Sequence, residues 1–150
     1  MQKTFLLVLL MVGLAGCASS KAPRVPFGSF VQTPVAADDK AIADDVVKKL
    51  AALYPPAKTR FNLQHATPDA FGTSVVAALR AKGYALAEVK QGARAAAPAA
   101  GEQALAYVID QPLDAGLYRV TLLVNSQTLS RVYQSSGGAV APAGAWVRKE

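Results

Sequence analysis

Ten residues from Phe5 to Leu14 form an almost unbroken apolar run, opened by Met1-Gln2-Lys3-Thr4 and closed by Leu14-Ala15-Gly16-Cys17. No other feature constrains the fold as much, because it decides which residues are left to fold. The run is about half the roughly 20 residues that a spanning helix requires. A short basic start, a short apolar stretch and a small-residue site describe a secretory signal, which is cut away and contributes nothing to the domain. Residues 1–16 are therefore expected to be removed, with cleavage between Gly16 and Cys17.

Cys17 is the only cysteine of the 150 residues. In an oxidising compartment it has no partner within the chain, so the thiol needs another use. Leu-Ala-Gly-Cys matches the bacterial lipobox at all four positions, which predicts a diacylglyceryl group on the Cys17 sulfur and an acyl group on the new amino terminus. Each buried methylene is worth ~0.8 kcal/mol and a single chain holds only marginally, so two or three chains make a stable anchor. This covalent lipid is the one non-protein group expected, and no dissociable cofactor is implied. Ala18 follows the cysteine where an inner-membrane retention signal would place Asp, so the expected destination is the outer membrane, with the domain facing the periplasm. Losing Lys3 with the signal leaves 15 basic and 10 acidic side chains, a net +5. That charge is too low to mark a nucleic-acid surface.

The mature chain divides by composition. Residues 17–37 carry the lipid site and a Pro-rich stretch with no helical or strand period, which predicts an extended tether of at most ~70 Å. Val25, Phe27, Phe30 and Val31 are unusually large for a spacer, and either dock on a partner or fold back on the domain. A helix is expected from Asp38-Asp39, with Ile42, Val46, Val47, Leu50, Leu53 and Tyr54 as its apolar stripe, Asp44 and Asp45 paired to Lys48 and Lys49, and Pro55-Pro56 as its end. Residues 58–64 alternate as a strand, Thr67-Pro68-Asp69 opens a second helix, and Gly83 closes it. Strand character resumes at 84–89. Gly92 to Gly101 is Ala-rich and reads as a loop, after which 104–109, 117–124 and 128–133 should form an antiparallel meander with 117–124 at its centre. The expected architecture is α+β: two helices packed on a mostly antiparallel sheet of about five strands, spanning 38–134. Residues 135–150 form a Gly/Ala/Pro-rich tail. Its Trp146, the only Trp, either covers the sheet or anchors a partner contact.

Catalytic chemistry finds little support. His65 is the single imidazole and lies in a strand-to-helix loop, so neither a metal site nor a serine triad can be assembled. No Gly-rich phosphate loop follows a strand. Any two of Asp69, Glu88, Glu102, Asp110 and Asp114 could meet as a hydrolytic pair, although capping and turn roles account for most of them. A non-enzymatic chain without a small-molecule substrate is expected.

The chain resembles the TrbH conjugal-transfer lipoproteins of the type IV secretion apparatus. The likeness rests on the lipobox, on Phe71-Gly-Thr-Ser-Val-Val-Ala-Ala-Leu-Arg-Ala-Lys-Gly-Tyr-Ala85, on Leu105-Ala-Tyr-Val-Ile-Asp110, and on Leu117-Tyr-Arg-Val-Thr-Leu-Leu-Val124 followed by Leu129-Ser-Arg-Val-Tyr133. It implies a structural part in plasmid transfer, with other channel subunits as partners, and brings no catalytic residues. From the residues alone, an envelope lipoprotein that activates a peptidoglycan enzyme is the competing reading, and Val25, Phe27, Phe30, Val31 and Trp146 are the candidate docking residues in either case.

Overall fold

The computed structural model describes residues 26–112 and 116–150. The signal segment, the Gly16-Cys17 site, Val25 and Asp114 lie outside them.

Helix α1 runs from Ala36 to Leu53 and buries Ile42, Ala43, Val46, Val47 and Leu50. It begins two residues earlier than Asp38-Asp39 implied, with Val35 at the N-cap and no side-chain cap. Both aspartates therefore fall inside the first turn, where they are buried and do not cap it. Pro55-Pro56 ends α1 as expected, and a single 3-10 turn, Pro56–Lys58, leads into the next strand. Helix α2, Ala70–Ala81, is capped by Asp69 and not by Thr67: an Asp69 carboxylate oxygen accepts from the Gly72 N–H at 2.8 Å. The first-turn donors thus find a charged acceptor two residues later than the Thr-Pro-Asp pattern indicated. Gly83 follows the C-cap with φ +88°, the left-handed conformation that closes a helix at little cost to glycine.

The sheet is larger than expected and mixed, with eight strands: β1 (Gly28–Ser29), β2 (Arg60–Leu63), β3 (Ala85–Ala87), β4 (Glu102–Asp110), β5 (Leu117–Val124), β6 (Gln127–Ser136), β7 (Ala139–Pro142) and β8 (Val147–Lys149). The order is β3-β2-β4-β5-β6-β7, with β1 added to β4 and β8 added to β6. The β4-β5-β6 meander forms as the alternation predicted, with β5 at its centre. By contrast β2 pairs in parallel with both β3 and β4, and β1 is also parallel to β4.

The three additional strands arise because the long central strands leave edges unfilled. β4 has nine residues and β2 covers only its first four, Glu102 to Leu105; β1 takes the vacant stretch opposite Val108 and Ile109. Likewise β8 pairs with Thr128–Ser130 and β7 with Tyr133–Ser136, dividing the far edge of β6 between them. Paired, short and interrupted edges limit strand-to-strand aggregation. These additions come from the two segments read as tether and tail.

Both helices pack on one face, over Phe61, Leu63, Leu105, Tyr107, Ile109, Val120, Leu122, Leu129 and Tyr133. The parallel β3–β2–β4 arrangement explains the Ala-rich segment. The chain must return from the end of β3 to the start of β4, and the right-handed rule puts that return on the face opposite α2. Residues 92–101 make this crossover without regular structure, and Asn62, on that same face, is buried. Among the described residues no helix is long and apolar enough to cross a membrane.

Candidate functional site

The candidate docking segment is held against the sheet by backbone bonds and one aromatic contact. Gly28 has φ +118°, and after Ser29 the Phe30 N–H donates to the Ile109 carbonyl at 2.8 Å. Phe27 is half-buried with its ring 5.5 Å from that of His65 and nearly parallel to it. Val31 packs against the core. Phe30 differs: its backbone is fixed and its side chain is 44% exposed, one of three exposed large apolar residues among the described residues, together with Val35 and Val147.

His65 is a structural loop residue whose tautomer is set by its neighbours. The Ala66 carbonyl, 2.9 Å from Nδ1, can only accept, so Nδ1 carries the hydrogen. Nε2 then accepts from the Tyr107 N–H at 3.3 Å. Burial holds the imidazole pKa below its ordinary value, outweighing the Ala66 carbonyl and the Asp69 carboxylate, which both act to raise it. The Tyr107 ring meets the imidazole edge-on at 4.5 Å. Phe27, Gln64, His65, Ala66 and the start of the crossover, Gly92–Ala95, line a cavity of about 610 Å³ beside it.

Three tyrosines on adjacent strands each donate to an aspartate at the helix layer. Tyr118 reaches Asp38 at 3.2 Å, Tyr107 reaches Asp69 at 2.6 Å, and Tyr133 reaches Asp45 at 2.8 Å. Burial raises the phenol pKa of Tyr107 and Tyr133 far above the usual range, and the accepting carboxylates reinforce it. Asp45 also holds Arg131 at 2.8 Å. The expected Asp44–Lys48 and Asp45–Lys49 surface pairs are thus replaced: Asp44 pairs with Lys40 at 2.6 Å, and Asp45 turns toward the sheet. Asp39 is 2% exposed and its Oδ2 has no hydrogen-bond partner among the described residues. Burial first, then the charges of Asp69 and Asp38, push its carboxyl pKa up.

Trp146 lies on its own sheet. It is partly buried against the core, and the Arg131 guanidinium sits 5.8 Å from both the Trp146 and the Tyr133 ring centres. Arg131 Nε also donates to the Gly144 carbonyl at 2.8 Å, so one cation fixes the approach to β8.

Of the carboxylates considered for hydrolysis, the four that lie among the described residues are each engaged. Asp69 caps α2, Glu88 pairs with Arg80, and Asp110 binds Arg119 through two hydrogen bonds at 3.0 and 2.6 Å. Glu102 accepts from Asn62 at 2.9 Å and from the Ala99 N–H at 3.0 Å, and pairs with Arg60 at 2.7 Å. The Asn62 and Ala99 bonds and the nearby Arg60 charge lower its pKa. Among the described residues no three His, Cys, Asp or Glu side chains are grouped to hold a metal ion.

Sequence reasoning misses the tyrosine–aspartate contacts. The signal that could have found them is positional: Asp38 and Asp45 are seven residues apart and flank Ile42 on one helical stripe, while Tyr118, like Val120 and Leu122, has buried-face parity. The arrangement as a whole offers a folded domain whose N-terminal approach is fixed along β4. No curated protein and no solved structure is matched by the chain. The model of one family, described as conjugal transfer protein TrbH, matches residues 24–150, and the chain belongs to that family.

Proposed function

We propose that this conjugal-transfer protein is a lipid-anchored assembly subunit of a type IV mating channel, acting by binding and without catalysis. The observation that carries the reading is the adjacency of two sequence features: the lipobox ending at Cys17 lies seven residues before the start of the family match at residue 24. The mature chain is then an acylated cysteine, a few linking residues and the family domain. Ala18 directs it to the outer membrane, and the domain faces the periplasm, where channel subunits are its partners. Phe30 is the docking residue best supported, because its side chain is exposed while its backbone is fixed. Val25 joins it by proximity in sequence. The side chains of Phe27, Val31 and Trp146 already have contacts within the domain and serve chiefly to position that segment and the C-terminal strand.

Palmitate labelling, envelope fractionation and mating assays test this together. Cys17→Ser should lose the label, leave the membrane fraction and lower transfer at least tenfold. Phe30→Asp should keep label and location while lowering transfer. A Cys17→Ser chain that stays membrane-bound and supports full transfer refutes the anchoring, and full transfer by Phe30→Asp refutes the docking residue.

A further inference from the structure

The two strands that share one edge of β4 do not meet, and His65 fills the space between them. β2 stops at Leu63, opposite Leu105, and β1 starts at Gly28, opposite Val108. The Leu105 carbonyl accepts from the Gln64 N–H at 2.9 Å, and the Ile109 carbonyl accepts from the Phe30 N–H at 2.8 Å. Midway between these rungs the Tyr107 N–H donates to a side chain, His65 Nε2, at 3.3 Å. The same imidazole stacks with Phe27, the residue that leads into β1. One side chain therefore completes the β4 ladder and holds the N-terminal segment against it.

We propose that His65 is a proton-operated latch: protonating its imidazole breaks the rung to Tyr107 and releases residues 26–31 from the edge of β4. The cause is the donor count. Neutral His65 keeps its hydrogen on Nδ1, bonded to the Ala66 carbonyl, and offers Nε2 as an acceptor. The imidazolium carries a hydrogen on both nitrogens, so two N–H groups would face each other at the Tyr107 rung. The Ala66 bond is made within the same loop and moves with the ring. The ring has room to leave, because the cavity of about 610 Å³ beside it is walled by Gln64, Arg94 and small residues. Of the charged groups around it, Asp69 at the start of α2 favours the proton, and Asp39 behind it acts on the Tyr107 hydroxyl. Arg94, from the crossover, opposes the proton, while the ends of β2 and of the N-terminal segment present the neutral Gln64 and Phe27. Burial disfavours the charge while the latch is closed, and that penalty disappears once the ring reaches water. Attraction between the imidazolium and the Phe27 ring is smaller, at this half-exposed site, than the cost of a buried N–H without an acceptor. β1 is only two residues long, so little besides its own backbone bonds and Val31 resists the opening.

With Cys17 acylated, the latch sets the reach of the domain. Open, the free chain runs to Val35 at the N-cap of α1, eighteen residues after Cys17, which spans at most ~60 Å. This consequence rests on the anchor proposed above; the latch itself does not.

Hydrogen exchange of the full chain in mild detergent, corrected for intrinsic rates, tests the proposal on the peptide containing Phe30 and on the β4-β5-β6 meander. Between pH 7.5 and 5.0 the protection of the Phe30 peptide should fall about five- to thirtyfold, the upper figure being that of an open form titrating near pH ~6.5 and a closed form that takes up no proton. Low urea should leave this exchange unchanged and speed that of the meander, since only global unfolding exposes much surface. His65→Gln keeps an acceptor for Tyr107 but does not titrate, and should hold the protection constant across the range. Protection that stays level or rises in acid overturns the proposal, as does an equal fall in His65→Gln. Equal urea dependence of the Phe30 peptide and the meander also overturns it, by making the opening global. If His65→Gln does not fold, the pH and urea outcomes of the unsubstituted chain still decide. None of these readouts uses lipid or transfer, so a failed latch and a failed anchor are told apart.

Discussion

Gly72 is the position at which helix propensity and tertiary packing make the most sharply opposed demands. A glycine in a helix costs up to ~1 kcal/mol relative to alanine, so Gly72→Ala should stabilise α2 if the helix is considered alone. A Cβ placed there, however, would lie 2.0 Å from the Tyr107 hydroxyl, 2.9 Å from Thr67 Cβ and 3.0 Å from Tyr107 Cζ. Tyr107 cannot swing aside. Its hydroxyl is 2.6 Å from the Asp69 carboxylate, and its ring, 1% exposed, is wedged between His65 at 4.5 Å and Phe71 at 5.1 Å. Overpacking a core costs about 1–3 kcal/mol, and losing a hydrogen bond to a charged acceptor costs about 1.5–3 kcal/mol. Against a propensity gain of at most ~1 kcal/mol, the net destabilisation is about 1.5–5 kcal/mol. Urea unfolding of the unsubstituted protein, Gly72→Ala, Tyr107→Phe and the double variant measures it. Because Tyr107→Phe removes the nearest clashing atom, alanine at 72 should cost at least ~1 kcal/mol less in the Phe background. A Gly72→Ala protein as stable as the unsubstituted chain, or more so, refutes the reasoning.

Three further outcomes follow from the same packing. Buried His65 has its pKa below the unfolded value, so its contribution to stability is intact above pH ~6.5 and is lost as pH falls through that value; unfolding midpoints between pH 8 and 5 should decline, and His65→Gln should flatten the decline. Asp39 has the opposite sign: its folded pKa is raised, so its ionisation penalises the fold as pH rises through that folded value. Asp39→Asn should therefore be more stable than the unsubstituted protein by about 1 kcal/mol at pH 8, with the difference vanishing in acid; equal midpoints at pH 8 would show that the carboxylate is satisfied. Arg131→Ala removes the cation over Trp146 and the bond to Gly144. Acrylamide quenching of the single Trp should increase as β8 loosens, whereas unchanged quenching would place the hold on Trp146 elsewhere.

Elements with a clean period are legible in the sequence itself. The α1 stripe, the buried Tyr118-Val120-Leu122-Val124 face of β5 and the two-residue Asn125-Ser126 turn each depend on neighbours close along the chain. β1 cannot be read in this way. Two residues carry no period, and the reason they pair is the empty stretch of β4 some 80 residues downstream, visible only once β2 is known to stop at Leu63. The parallel direction of β2 has the same character, since alternation gives a strand its faces and not its partner. The charged residues of α1 mislead for a related reason. Asp38 and Asp45 look like surface charge until β5 and β6 set Tyr118 directly opposite Tyr133 beneath the helix. A buried phenol needs an acceptor, and a carboxylate on the packed stripe supplies one without leaving the helix.

The pinned N-terminal segment also changes what the anchor can do. A tether running to residue 37 would let the domain range up to ~70 Å from the acylated cysteine. With Phe27 stacked on His65 and β1 bound along β4, the free length ends near Pro26, nine residues after Cys17, which spans at most ~30 Å. That is comparable to the width of the domain itself, since an eight-residue strand is about 27 Å long. With Cys17 acylated as proposed, the domain is therefore confined to a layer about one diameter deep against the bilayer. Phe30, four residues beyond Pro26 and 44% exposed, is then held within that layer, within reach of partners that share the membrane.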